Sequence, residues 1–103
     1  MSPTERTLKE LRKRGYLAAV VERWNSFAKI RQDLFGLVDI IALRDGETLA
    51  VQTTSGSNVS DRVRKIGDSD KIGTIRKAGW RVVVWGWSRN AAGKYVLREV
   101  DCS

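Results

Sequence analysis

The segment Leu37–Thr54 constrains the fold more than any other. Leu37-Val38-Asp39-Ile40-Ile41-Ala42-Leu43 is a nearly continuous apolar run broken by one acid. Arg44-Asp45-Gly46-Glu47 follows, and an Asp-Gly pair between two apolar runs is a strong hairpin signal. Thr48-Leu49-Ala50-Val51-Gln52-Thr53-Thr54 is then the returning strand. Such a hairpin needs a sheet to join and a layer to cover it. It also brings the returning strand alongside Asp39. Side chains two apart on a strand share a face, so Gln52 and Thr54 point the same way, close to Asp39. A carboxylate in that run is costly to bury unless it is paired or holds a cation. On burial alone, a strand-end Asp satisfied by backbone amides or an arginine is an equal alternative.

The remaining elements fall into place around the hairpin. Ser2-Pro3-Thr4-Glu5 opens a helix over residues 4–14: a cap candidate, an early proline and an acid in the first turn. Arg12-Lys13-Arg14 and then Gly15 close it with cations in the last turn and a glycine beyond. The β-branched and aromatic stretch Tyr16–Trp24 predicts one strand, followed by a loop through Lys29 and a turn over 31–36. Ser57 or Asn58 is placed to cap a helix over 59–66, and a second helical stretch spans 69–77. Residues 80–87 predict a strand, Asn90–Gly93 a turn, and residues 94–100 a last strand. The order α-β-β-β-α-α-β-β predicts one α/β (α+β) domain over residues 1–103, a central mixed sheet flanked by helices.

Composition restricts the chemistry. The 103 residues contain no histidine and a single cysteine, Cys102. Histidine-based triads, most zinc sites and disulfide scaffolds are thereby excluded. What remains, carboxylates, amides, hydroxyls, Lys and Arg, suits a hard, oxygen-binding cation. No apolar run approaches the ~18 residues of a membrane helix, and the N-terminal stretch lacks the apolar core of a secretory signal. The expectation is a soluble cytoplasmic protein with no membrane partner. Nineteen Lys and Arg oppose twelve Asp and Glu, a net +7, which favours a polyanionic partner, nucleic acid above all. The charge is segregated. Residues 1–31 carry eight basic and three acidic side chains, residues 32–61 one and five, and residues 62–103 ten and four. An acidic middle between basic arms permits a cation held by carboxylates with phosphates on the flanks. Chance loops such as Arg44-Asp45-Gly46-Glu47 produce the same pattern.

An Asp, a hairpin and then Glu-or-Gln-x-Lys at the end of the next strand resembles the PD-(D/E)XK nuclease superfamily. The order Thr4-Glu5-Arg6-Thr7-Leu8, Leu11-Arg12-Lys13-Arg14-Gly15-Tyr16, Ser26, Asp39-Ile40-Ile41-Ala42-Leu43 and Gln52-Thr53-Thr54 is similar to archaeal-type Holliday junction resolvases over residues 4–55. The resemblance implies a restriction-endonuclease-like fold and Mg²⁺- or Mn²⁺-dependent hydrolysis of DNA phosphodiesters, with branched DNA as a substrate class. It implies Glu5, Asp39, Gln52 and the Thr53 backbone as metal ligands, and a homodimer, since two strands are cut symmetrically. The chain departs from the pattern at two positions: Gln52 stands for the usual Glu, and Thr54 for the lysine. Thr54 supplies no cation, so Lys65 is the first substitute, then Arg62 or Arg64.

Ser26, Lys29, Arg31, Arg62, Arg64 and Lys65 are the candidate nucleic-acid contacts. Arg62, Arg64 and Lys65 are as readily a solvated helix face. Glu22 reads first as a surface ion-pair partner. Trp80, Trp85 and Trp87 invite base stacking, but aromatics on such a strand are more often core; Trp85 is assigned to the core and Trp87 left open. Two other readings stand beside the nuclease: a catalytically inactive nucleic-acid-binding module with the same fold, and a basic structural or assembly protein.

Overall fold

Helix α1 (Pro3–Lys13) starts where the Ser2 hydroxyl accepts the Glu5 N–H at 3.2 Å, and it stops at Gly15, whose φ of +90° suits glycine. Its buried residues Thr7 and Leu11 lie one turn apart and face the sheet. The computed structural model describes residues 1–103. Strand β1 (Leu17–Val20) follows, then two short strands, β2 (Arg23–Asn25) and β3 (Ile30–Gln32), which pair only with each other. The predicted hairpin is β4 (Ile40–Arg44) and β5 (Glu47–Ser55), with Gly46 at φ +68° in its turn. A 3-10 turn (Gly56–Asn58), α2 (Val59–Gly67) and α3 (Ile72–Lys77) lead to β6 (Arg81–Arg89) and β7 (Tyr95–Asp101).

The main sheet is mixed and five-stranded, in the order β1-β4-β5-β6-β7. β5 and β6 are parallel and every other neighbouring pair antiparallel. Register runs across it as Val20↔Ile40, Ile40↔Val51, Val51↔Val83 and Val83↔Asp101. A parallel pair needs a crossover, which α2 and α3 supply. Central β5 is covered on both sides. Leu49 and Val51 join Leu11, Tyr16, Ile40 and Trp85 under α1, whereas Ala50 joins Val59, Ile66, Ile72, Ile75 and Val84 under α2 and α3. The chain is thus α+β with a mixed sheet between helices. No helix is long and apolar enough to cross a membrane.

Four local expectations are corrected. The single strand expected over Tyr16–Trp24 is two strands in different sheets. Val21 still donates to the Asp39 carbonyl at 2.8 Å, but the chain then leaves the sheet. The expected loop and turn over 25–36 contain a hairpin, because Asn25 Oδ1 accepts the N–H groups of Phe27 and Ala28 and reverses the chain. Helix α3 begins at Ile72, not at Ser69, whose hydroxyl accepts the Lys71 N–H instead. Asn58 precedes α2 without capping it by side chain; its amide donates to Ser55 Oγ at 3.1 Å.

Candidate metal centre and its basic cavity

Asp39 ends the connection into β4 and is 4% exposed. Its backbone N–H donates to Val51 O at 2.9 Å, which holds it beside β5. Its Oδ2 accepts the Thr53 N–H at 2.9 Å and Gln52 Nε2 at 3.1 Å. The expectation that Gln52 lies against Asp39 therefore holds. Gln52 Nε2 also reaches Asp33 Oδ2 at 3.3 Å. Glu22, immediately before β2, and Asp33, immediately after β3, stand at the two feet of the small hairpin. With Asp39 they bring one carboxylate oxygen each within 4.8 Å of one another.

Burial pushes the Asp39 carboxyl up, to about 7. A hydrogen bond with the Asp33 carboxyl and the negative charges of Asp33 and Glu22 act in the same direction, and only the Thr53 N–H opposes them. The remaining clue is Gln52 Oε1, a buried amide oxygen without a hydrogen-bond partner. The three carboxylates could hold a divalent cation, and Gln52 could join them through this oxygen once its amide is turned over. The donor set is all oxygen, which fits Mg²⁺ or Mn²⁺.

Beside this group opens a polar cavity of about 690 Å³, lined by Arg31, Asp33, Arg62, Lys65 and Lys71 among others. Lys65 Nζ lies 3.9 Å from Asp33 Oδ2. The half-buried Glu22 carboxylate accepts from Arg31 at 3.4 Å, so its surface ion pair is real and it belongs to the cluster as well.

The predicted residues divide into those the fold gathers and those it does not. Asp39, Gln52, Lys65, Arg62 and Arg31 come to the cluster or its cavity. Thr53 touches Asp39 through its N–H, while its side chain bonds Thr7 across the α1 face at 2.9 Å. Thr54 is buried and makes no hydrogen bond to Asp39. Glu5 is exposed and does not join the carboxylates. Helix α1 packs on the face bearing Val51 and Thr53, opposite the one from which Gln52 projects, so Glu22 and Asp33 take the place expected of Glu5. Ser26 and Lys29 fall at the β2–β3 tip, and Arg64 pairs with Asp61 at 2.5 Å; none of the three lines the cavity.

Asp33 and Lys71 were not legible as site residues. Past the foot of the β2–β3 hairpin, Asp33 and Asp39 bracket a tight turn in which Leu37 N–H donates to Leu34 O and Leu34 pairs with Val38. Such a turn folds its flanking residues together. No protein-family model matches the chain, and no curated protein matches it in sequence.

Proposed function

We propose that this chain is a metal-dependent nuclease-like domain of the PD-(D/E)XK type, acting on DNA phosphodiesters. One observation carries the reading: Glu22, Asp33 and Asp39 converge, with the Gln52 amide bonded to two of them, at the edge of a cavity lined by Arg31, Arg62, Lys65 and Lys71. The α-β-β-β-α-β frame, with the acid-bearing strand antiparallel to the Gln52 strand, is compatible with the restriction-endonuclease-like fold.

In this reading Glu22, Asp33, Asp39 and Gln52 hold Mg²⁺ or Mn²⁺. When bound, the cation polarises the phosphate and lowers the pKa of the attacking water. Arg31, Arg62 and Lys71 bind and orient the phosphate backbone. Lys65, adjacent to Asp33, stabilises the charge that develops on the phosphoryl oxygens, the part assigned to lysine where this chain has Thr54. Symmetric cutting of two strands requires a homodimer.

The test is cleavage of labelled four-way junction, flap, duplex and single-stranded DNA with Mg²⁺, Mn²⁺ or EDTA. The wild type is expected to cut only with metal. Asp39→Ala abolishes cutting, and Lys65→Ala slows it roughly 100-fold or more, the usual effect of losing one transition-state donor. If no substrate is cut while salt-sensitive binding persists in the wild type and in Asp39→Ala, the chain is a binding module that kept the cavity and lost the chemistry.

A further inference from the structure

A second cleft, of about 410 Å³, adjoins the basic cavity and differs from it in character. Phe35, Ile75, Ala78 and Trp80 supply its apolar lining, and Asp70 and Lys71 are among its polar residues. The two cavities share Phe35 and Lys71, so one continuous surface passes from four cations to an aromatic platform. Phe35 and Trp80 lie with ring centroids 6.3 Å apart, inclined at 46°. That spacing is too small for a third ring to lie between them, so a further ring would pack on an outer face of the pair.

Phe35 is placed there at a cost. It has φ +56°, followed by Gly36 at φ +71°. A bulky aromatic residue in left-handed backbone is rare and strained. The residue nevertheless stays 47% exposed instead of closing the core. Lys71, exposed at the junction, belongs to both linings, so a chain whose phosphate meets the cations has its neighbouring group beside the aromatic pair.

We infer that the Phe35–Trp80 cleft is a nucleobase subsite, which takes one unpaired base of the strand whose phosphates occupy the Arg31–Arg62–Lys65–Lys71 cavity. The inference rests on the nucleic-acid reading above and narrows its substrate class to DNA with unpaired nucleotides beside the scissile region. A base paired within a duplex has both faces stacked and cannot enter; an unpaired base has a free face. Stacking on an aromatic side chain is tolerant of base identity and strong enough to select by structure. The occupant is anionic as well as aromatic because the same surface is cationic at its other end.

The test is anisotropy in EDTA with a labelled blunt DNA duplex, the same duplex carrying a single-stranded tail, and the tailed duplex with abasic sugars in the tail. The wild type is expected to bind the tailed probe about tenfold more tightly than the blunt or the abasic one, in line with one stacked base. Phe35→Leu and Trp80→Leu keep an apolar side chain and lose the π face, so each erases the tail preference; Trp80→Leu, at a residue outside the basic cavity, also leaves blunt-duplex affinity unchanged. The abasic probe needs no variant, so the inference stays testable should either substitution unfold the chain. Equal affinity of the wild type for all three probes, with metal-dependent cutting intact, overturns the subsite and leaves the nuclease reading standing. Absence of any DNA binding overturns both. A concentration-dependent dimer that Phe35→Leu dissolves assigns the cleft to a second copy of the chain and likewise overturns the subsite.

Discussion

Asp39 sets the properties of the site at the scale of single residues. Its carboxyl is raised to about 7 by burial and by the neighbouring carboxylates, whereas in the unfolded chain it returns to an ordinary aspartate value near 3.8. Between those values the native state binds one more proton than the unfolded state, so this group's stabilising contribution is complete below the lower value. It is lost as pH rises through the upper one. Metal-free protein in EDTA is therefore expected to lose on the order of a few kcal/mol between about pH 4 and pH 7 from this residue. Urea unfolding at stepped pH measures it, and Asp39→Asn should flatten that part of the profile. A second expectation concerns Gln52, whose Nε2 now donates to both Asp33 and Asp39. Gln52→Glu replaces that donor with another acceptor among carboxylates, so the metal-free protein is destabilised. The added charge should in turn tighten Mn²⁺ binding about tenfold or more, since affinity at such sites follows ligand charge. Calorimetric titration reads the affinity, and thermal unfolding with and without Mn²⁺ reads the stability. A variant that unfolds more easily yet binds no tighter would sink the assignment of Gln52 as a ligand.

At the scale of elements, the site depends on how closely α2 approaches β6, because α2 carries Arg62 and Lys65. That approach passes over Gly86. A Cβ there would collide with Val59 Cγ2 and would meet Gly56 Cα at 3.2 Å, and Gly56 and Val59 open the 3-10 turn and α2 at the start of the crossover. Gly86→Ala should cost about 1–3 kcal/mol through overpacking, read as a lower denaturant midpoint. The same variant should lose cleavage beyond its loss of stability, because α2 shifts with the junction. Local signals made several of these elements legible in sequence. Ser2 and Gly15 bound α1, Asp45-Gly46 turns β4 into β5, and the run Val82-Val83-Val84-Trp85 marks the buried centre of β6. The β2–β3 hairpin was illegible because its residues are mostly exposed, without inward-outward alternation, and its turn uses Asn25 side-chain acceptance rather than an Asn-Gly pair. The site inherits that gap. Asp39 and Gln52 could be paired from strand register, but Asp33 and Glu22 arrive only through the feet of that hairpin.

At the scale of the molecule, net charge alone does not distinguish a basic surface from a built interface; the placement of individual cations does. Arg31, Arg62 and Lys65 come from β3 and α2 and line one cavity. Arg64, on the same helix as Arg62, is exposed, held by Asp61 at 2.5 Å and absent from that cavity. A phosphate-binding cation releases condensed counterions when DNA binds, so the logarithm of affinity falls linearly with the logarithm of salt concentration. Removing one such cation lowers the slope by about one, whereas removing a cation outside the footprint changes it little. Titrations of the tailed duplex over a series of salt concentrations should give Arg31→Gln, Arg62→Gln and Lys65→Gln each a shallower slope than the wild type. Arg64→Gln should retain the wild-type slope. The comparison of Arg62 with Arg64 is the most discriminating, since both changes remove one charge from one helix and leave the same net charge. Equal slopes for that pair would mean that DNA responds to the total charge of the chain, and the cavity would lose its claim to be the interface.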